Sequence, residues 1–474
     1  MLWDLQSFGS KTALVQDGDE YTYEQLAGLS AQVAALLPAR SLVFALCTNT
    51  LGSIAGYLGF LNGGIVPLLL DSAINKDLLS ALNDVYEPGY YWVPEGMEAE
   101  FSQFKRVAAI AGYVLLATES PAQHALHPDL AVLVSTSGST GTPKLIRLSY
   151  ANIASNTNSI CEYLKITDAE RAITSLPMNY VYGLSVLQTH ISRGATLVLT
   201  DLNCYAGQFW KLFAQQECTS FAGVPFMYEM LEKLRFTKQN RYPSLKTMTQ
   251  AGGRLSPELQ DKFAAFARDN GIDFVVMYGA SEATARMSYL PPQCALEKRG
   301  SIGIPIPGGR FEIVGADGQP VPAGESGELA YYGENVSLGY ATCAEDLARD
   351  DDNNGRLLTG DLAREDEDGF YYVVGRKKRF VKILGKRTSL DEVENILKQH
   401  FDVIDLACGG KDDLLAVFLA ADVDPAAVSR FVFETLGINE KMIRVVEVGE
   451  IPKNTSGKIQ YAQLNELLEE GEGR

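Results

Sequence analysis

Residues Ser135 to Lys144, STSGSTGTPK, are the stretch best suited to holding phosphate. Glycines let consecutive backbone N–H groups turn toward one point, hydroxyls add donors, and the Lys144 ammonium adds a full positive charge. The segment is not a Walker loop, because Gly141 is followed by Thr142, Pro143 and Lys144 where that loop requires Gly-Lys-Ser/Thr. The same composition also describes a flexible surface linker, so the surroundings have to decide. Upstream, the apolar run Leu130 to Val134 reads as a buried strand feeding the loop. Downstream, Ser149-Tyr-Ala-Asn reads as the polar-capped start of a helix reaching about Leu164.

With 474 residues the chain is too long for one ordinary core, and two or more domains are expected. Hydrophobic residues make up 46% and charged residues 21%, the balance of a globular protein. A formal charge of −18 disfavours nucleic acid as a partner. The seven cysteines (47, 161, 204, 218, 294, 343 and 408) are scattered with no CxxC pair, the usage of a reducing compartment. The four histidines (124, 127, 190 and 400) have no metal-ligand spacing. No signal peptide is read in MLWDLQSFGSK, and the most apolar stretch, Leu42 to Leu70, is interrupted by polar residues and glycines. A strand, a buried helix and another strand are expected there rather than a membrane anchor, and a cytoplasmic location follows by default.

The elements can be laid out in chain order. TALVQDGDEYTYEQL reads as a hairpin turning at Asp17-Gly18, with Thr22 opening a helix. Short apolar runs then alternate with helix-like stretches (SLVFALC, GIVPLLL, YYWV, ATLVLT, TSFAGV, FVVMYG), which predicts an α/β layer fold. After Gly300, GRFEIVGADGQPVPAGESGELAYYG reads as short antiparallel strands. Arg376 to Arg387 holds seven basic residues (376, 377, 378, 379, 382, 386 and 387), a local inversion of the global acidity, followed by a compact α+β segment with a helix from about Leu390 to His400. The domain boundary is placed at this basic turn, giving residues 1–375 and 376–474.

Five segments in order carry a resemblance: STSGSTGTPK (135 to 144), AGGRLS (251 to 256), YGASEAT (278 to 284), TGDLA (359 to 363) with GRKKRFVK (375 to 382), and IPKNTSGK (451 to 458). The chain resembles the adenylate-forming superfamily of acyl-CoA synthetases, free-standing adenylation enzymes and firefly-type luciferases. The resemblance implies a large N-terminal α/β AMP-binding domain and a small mobile α+β C-terminal domain. It implies a reaction in which a carboxylate attacks the α-phosphate of ATP, expelling pyrophosphate, after which a thiol displaces AMP from the mixed anhydride. ATP, magnesium, and coenzyme A or the phosphopantetheine of a carrier protein are the implied cofactors.

Within that resemblance Ser137, Gly138, Ser139, Thr140, Gly141 and Lys144 would hold the β and γ phosphates. Glu282, beside the tight Tyr278-Gly279 turn, would be the magnesium ligand, and Ser281 would donate to the α-phosphate. Without the family, Glu282 reads as an acid favoured at a helix N-terminus. Tyr278 offers an aromatic face for adenine, and Gly252 and Gly253 let the backbone approach that ring; ordinary packing is the plain alternative. Asp361 can accept from both ribose hydroxyls, with Arg376 reading the ribose or the α-phosphate; either could instead be a surface turn residue. Lys458, in a Gly-rich turn, would bridge the substrate carboxylate and the α-phosphate as negative charge grows there. Lys378 aligns with the family hinge and Lys382 with the face used in the thiol step, while a merely solvated basic face is the alternative for this run.

The segment LPMNYVYGLS (176 to 185) matches the start of the acyl-pocket helix. Gly183 stands where enzymes for α-amino acids carry Asp, and Tyr180 replaces the family's frequent His. An α-amino acid substrate is disfavoured. Tyr180, Tyr182, Phe226, Met227 and Gly253 suit an apolar or aromatic acyl group, although each could equally be core. The expected activity is ligation of an aryl or aliphatic carboxylic acid to coenzyme A through an acyl-AMP. A carrier-protein loading enzyme is the near rival, and a silent nucleotide-binding scaffold is the rival of another class.

Overall fold

The structure, a computed structural model, describes residues 2–119, 124–135, 144–238, 241–322, 324–377, 379–384, 386–453 and 459–470. It divides into two compact units, one of residues 1–310 with 331–357 and one of residues 311–330 with 358–474. The sequence-level boundary at 375/376 falls inside the second of these.

Among the described residues, the first unit carries two large sheets. The eight-stranded sheet runs in the order Tyr340–Ala341, Leu145–Ser149, Leu130–Ser135, Val66–Asp71, Leu42–Cys47, Tyr90–Pro94, Tyr113–Ala117, Lys105–Ile110. Its three central pairings, between Leu130–Ser135, Val66–Asp71, Leu42–Cys47 and Tyr90–Pro94, are parallel. The nine-stranded sheet places Thr196–Leu199, Arg171–Ile173, Ser220–Gly223, Thr247–Gln250 and Asp273–Tyr278 side by side, also in parallel. Parallel strands need both faces covered, and the helix Leu51–Asn62 shows how: every residue from Leu51 to Leu61 is buried. The predicted strand, buried helix and strand across 42–70 are all present, and no helix among the described residues is long and apolar enough to cross a membrane.

Local signals act where they were read. Asp17 and Gly18 both take positive φ (53° and 93°) in the tight hairpin turn. Thr22 and Ser149 each close a capping box, with Gln25 and Asn152 respectively. One element was missed: between the phosphate-type loop and the Ser149 cap lies a further strand, Leu145–Ser149, antiparallel to Leu130–Ser135.

The second unit contains a four-stranded sheet ordered Arg310–Val314, Gly327–Tyr332, Arg356–Glu365, Tyr371–Arg376, then the hairpin Phe380–Ile383 with Lys386–Ser389. A three-stranded sheet (Leu406–Lys411, Leu414–Leu419, Ile443–Glu447) follows, packed with the helices Leu390–Phe401, Pro425–Leu436 and Tyr461–Glu470. Val393, Leu397, Leu406, Val417, Val428 and Val432 lie at its core.

Candidate functional site

The strands Leu130–Ser135 and Leu145–Ser149 pair antiparallel, with Ser135 opposite Leu145. Ser137, Gly138, Ser139, Thr140 and Gly141 lie outside the described residues, as do Lys378 and Lys458. Lys144 is exposed, and its ammonium lies 5.8 Å from the centre of the Tyr340 ring. The Tyr340 hydroxyl donates a 2.6 Å hydrogen bond to Glu282 Oε1. Tyr340, which sequence reasoning did not single out, therefore joins Lys144 and Glu282 from two distant segments. Burial and the neighbouring Glu282 carboxylate push its phenol well above the ordinary range, so it stays a donor.

Glu282 sits in a one-turn 3₁₀ segment, Ser281–Ala283, rather than at the start of a longer helix. Its second oxygen has no partner among the described residues. Directly after it, Thr284 takes φ 65° and ψ −57°, a conformation costly for a β-branched residue. The Ala285 N–H donates to the Ala283 carbonyl at 2.7 Å across this γ-turn, and the Thr284 hydroxyl donates to the Asn335 carbonyl at 2.7 Å. Asn335 in turn donates to the carbonyls of Ala283 and Arg286, at 2.9 and 3.0 Å. The turn that aims Glu282 is thus clamped from a second segment.

Tyr278 ends the strand Asp273–Tyr278, and Gly279 follows it against the Ala285 carbonyl. Gly252 (φ 86°) could not carry a side chain, since a Cβ there would lie 2.5 Å from the Tyr180 hydroxyl. The AGG turn and the acyl-helix start, separated by about 70 residues of sequence, therefore touch. Gly253 lies against Pro225, and Met227 is buried on the helix Pro225–Lys233 that also carries Phe226. Tyr180 is the N-cap residue of the helix Val181–Arg193. A Cβ at Gly183 would lie 2.3 Å from the Pro177 carbonyl, which excludes an aspartate there on steric grounds alone.

Tyr182 is buried, and its hydroxyl shares a 2.8 Å hydrogen bond with Thr249 Oγ1. The guanidinium of Arg286, 3% exposed, lies over its ring at 3.9 Å. Burial pushes the Tyr182 phenol up to about 12 against the opposing pull of that cation. Arg286 was also missed; a cation heading the apolar RMSYL run, four residues past Glu282, was its only signal.

In the second unit, Asp361 and Arg376 are directly opposed across an antiparallel pair, with Arg376 Nε 3.2 Å from Asp361 Oδ1. The TGD and GR motifs are therefore one hairpin. The Asp361 N–H donates to Thr359 Oγ1 at 3.1 Å, and Lys377 pairs with Glu328 at 2.7 Å. Lys382 is exposed on the next hairpin, which is tied down by its own N–H to Asp412 (3.0 Å) and by the Leu384 N–H to Asp413 (2.7 Å).

A family model for AMP-binding enzymes matches residues 3–341, and the chain belongs to that family. It is 30% identical over 345 residues to a sulfoacetate–CoA ligase of Cupriavidus necator, a match covering 70% of this chain and 66% of that protein, just under two thirds of its length. It is 26% identical over 503 residues to an indoleacetate–CoA ligase of Aromatoleum aromaticum, covering 97% and 95%. Its fold is that of the o-succinylbenzoate–CoA synthetase of Bacillus subtilis, solved with its acyl-adenylate intermediate, at a TM-score of 0.79 and 22% identity over 97% of both chains.

Proposed function

We propose that this protein is an AMP-forming ligase that activates a carboxylic acid with ATP and passes the acyl group to coenzyme A. The observation that carries the proposal is the meeting of Lys144 and Glu282 on Tyr340, in a chain of the AMP-binding family. Among the described residues no three His, Cys, Asp or Glu side chains converge on a metal position. One carboxylate with an unoccupied oxygen nevertheless fits magnesium, which takes few protein ligands when it arrives on nucleotide phosphates. When bound, that ion would neutralise charge on the phosphates.

The protein's own groups have the following roles. The loop hydroxyls and amides with Lys144 hold the departing pyrophosphate, Ser281 donates to the α-phosphate, and Tyr278 with Gly252 and Gly253 borders adenine. Asp361 and Arg376 hold the ribose. Lys458 offsets the charge that builds between the carboxylate and the α-phosphate, and Lys382 serves the thiol step after rotation at Lys378 of a mobile segment, 376–474. Tyr180, Tyr182 and Gly183 border the acyl group. Sulfoacetate and o-succinylbenzoate each carry a second acidic group and indoleacetate does not, so these names support a carboxylic acid in general.

The test is pyrophosphate release with ATP, magnesium and a panel of carboxylic acids, comparing the wild type with Lys458→Ala. Acid-dependent release that falls about 10²–10³-fold in the variant is the expected result. Subsequent thioester formation with coenzyme A, and not with a phosphopantetheinylated carrier protein, separates the ligase from a carrier-loading enzyme. No release with any acid, while ATP still binds, returns the chain to a silent scaffold.

A further inference from the structure

Below the helix Val181–Arg193 lies a small, partly open cavity of about 40 Å³, walled by Ile160, Ile173, Ser185, Ala222, Thr249 and Arg286. It adjoins the proposed acyl region directly, because Thr249 bonds Tyr182 and Ser185 lies one turn beyond Tyr182 on the same helix. Most of its polar lining is already committed. Ser185 Oγ donates to the Tyr182 carbonyl at 2.7 Å, Thr189 Oγ1 to the Ser185 carbonyl at 2.8 Å, and His190 Nδ1 lies 2.8 Å from the Val186 carbonyl. Glu170 accepts from Thr219 Oγ1 and faces Lys246 at 3.6 Å.

Arg286 is different. Its Nε reaches Met277 Sδ at 3.3 Å, and the Tyr163 hydroxyl donates to the same sulfur at 3.0 Å. Its guanidinium lies over the face of Tyr182, and no carboxylate lies within ion-pair distance among the described residues. An arginine cannot shed its proton, and a buried cation without an anion is costly unless something returns the energy. The fold invests further in this position: the Arg286 carbonyl accepts from both Asn156 and Asn335, fixing the backbone that presents the guanidinium.

We infer that Arg286 is the receptor for a second, distal anion on the substrate, so that the acid activated is a dicarboxylate or a sulfonated carboxylate rather than a simple aryl or aliphatic acid. The inference rests on the ligase reading above and sharpens its substrate class. The guanidinium fork matches a carboxylate or sulfonate with two parallel N–H donors. The distal anion would replace the missing counter-charge, and the proximal carboxylate would remain free to attack ATP.

The test compares short dicarboxylic acids (succinate, glutarate) with their monomethyl esters in pyrophosphate release, for the wild type, Arg286→Met and Arg286→Lys. The wild type is expected to favour the diacid by about 10²-fold in kcat/KM, with that ratio collapsing toward one in Arg286→Met and partly kept in Arg286→Lys. A wild type that uses diacid and monoester equally, or a folded Arg286→Met that keeps the preference, overturns the inference. Should Arg286→Met not fold, the wild-type ratio and Arg286→Lys decide. Should no acid support release, thermal shift of the wild type separates the two claims: a shift with the diacid alone upholds the anion subsite while the ligase reading falls, and equal or absent shifts with both overturn it.

Discussion

Two arginines, one in each unit, rest on a tyrosine ring and differ in everything else. Arg379 lies 3.4 Å from the centre of the Tyr461 ring, pairs with Asp391 and Glu394 at 3.2 Å each, and donates to the Cys408 carbonyl at 3.0 Å. Arg286 lies 3.9 Å over Tyr182 and, among the described residues, has the Met277 sulfur in place of carboxylates. Arg147, fully buried, follows the first pattern, bonding Asp352 at 2.8 Å and the carbonyls of Leu338, Arg349 and Asp350. Where the chain needs a buried cation for architecture, it supplies the counter-charges itself. A cation left without them, beside a cavity, is provided for something else.

The comparison is most severely tested by neutralising each cation. Arg379→Met removes the cation shared by Asp391 and Glu394, leaving the nearly buried Glu394 with Lys398 as its remaining cation, and should cost about 1.5–3 kcal/mol in denaturant unfolding. Arg286→Met removes a charge that has no anion, so its unfolding free energy should stay within about 1 kcal/mol of wild type or rise. Equal losses in the two variants would erase the distinction.

Glu282 stands between these extremes, with one oxygen held by Tyr340 and the other without a partner among the described residues. Tyr340→Phe should leave the fold intact while raising about tenfold the magnesium concentration needed for half-maximal pyrophosphate release. An unchanged magnesium dependence would make Tyr340 a packing residue only.

His190, buried on the wall of the Arg286 cavity, shows the third way of handling a titratable group. Burial holds its pKa below the ordinary 6.5, the Val186 carbonyl partly opposing, and it stays neutral. At low pH the unfolded chain binds a proton there that the folded chain refuses. Its contribution is therefore complete above about pH 6.5 and is lost as pH falls below that value. Denaturation between pH 8 and 5.5 should show this slope, and His190→Gln should flatten it.

The smallest effect concerns the thiols. Five of the seven cysteines are buried, and burial pushes those of Cys47, Cys204 and Cys218 up to about 12. A thiol reagent at pH 8 should titrate only Cys294 and Cys343 in the native protein and all seven after unfolding. Rapid native labelling of a third would mark an opening motion in the core.

Much of the architecture was legible because local chemistry enforces it. The Asp17-Gly18 turn, the Thr22 and Ser149 caps and the apolar strands at 42–47, 66–71 and 90–94 follow from propensity and pattern. The motifs also singled out Lys144, Glu282, Asp361 and Arg376, each a residue type that its proposed chemistry demands. The sequence could not say which distant segments meet. Tyr340 reaches Glu282 across 58 residues and Asn335 clamps Thr284 across 51, and neither spacing has a periodic signal. Nor could it tell Arg286 from Arg379. Each is one cation in a charged chain, and only the packing shows that among the described residues the first has no anion and the second two.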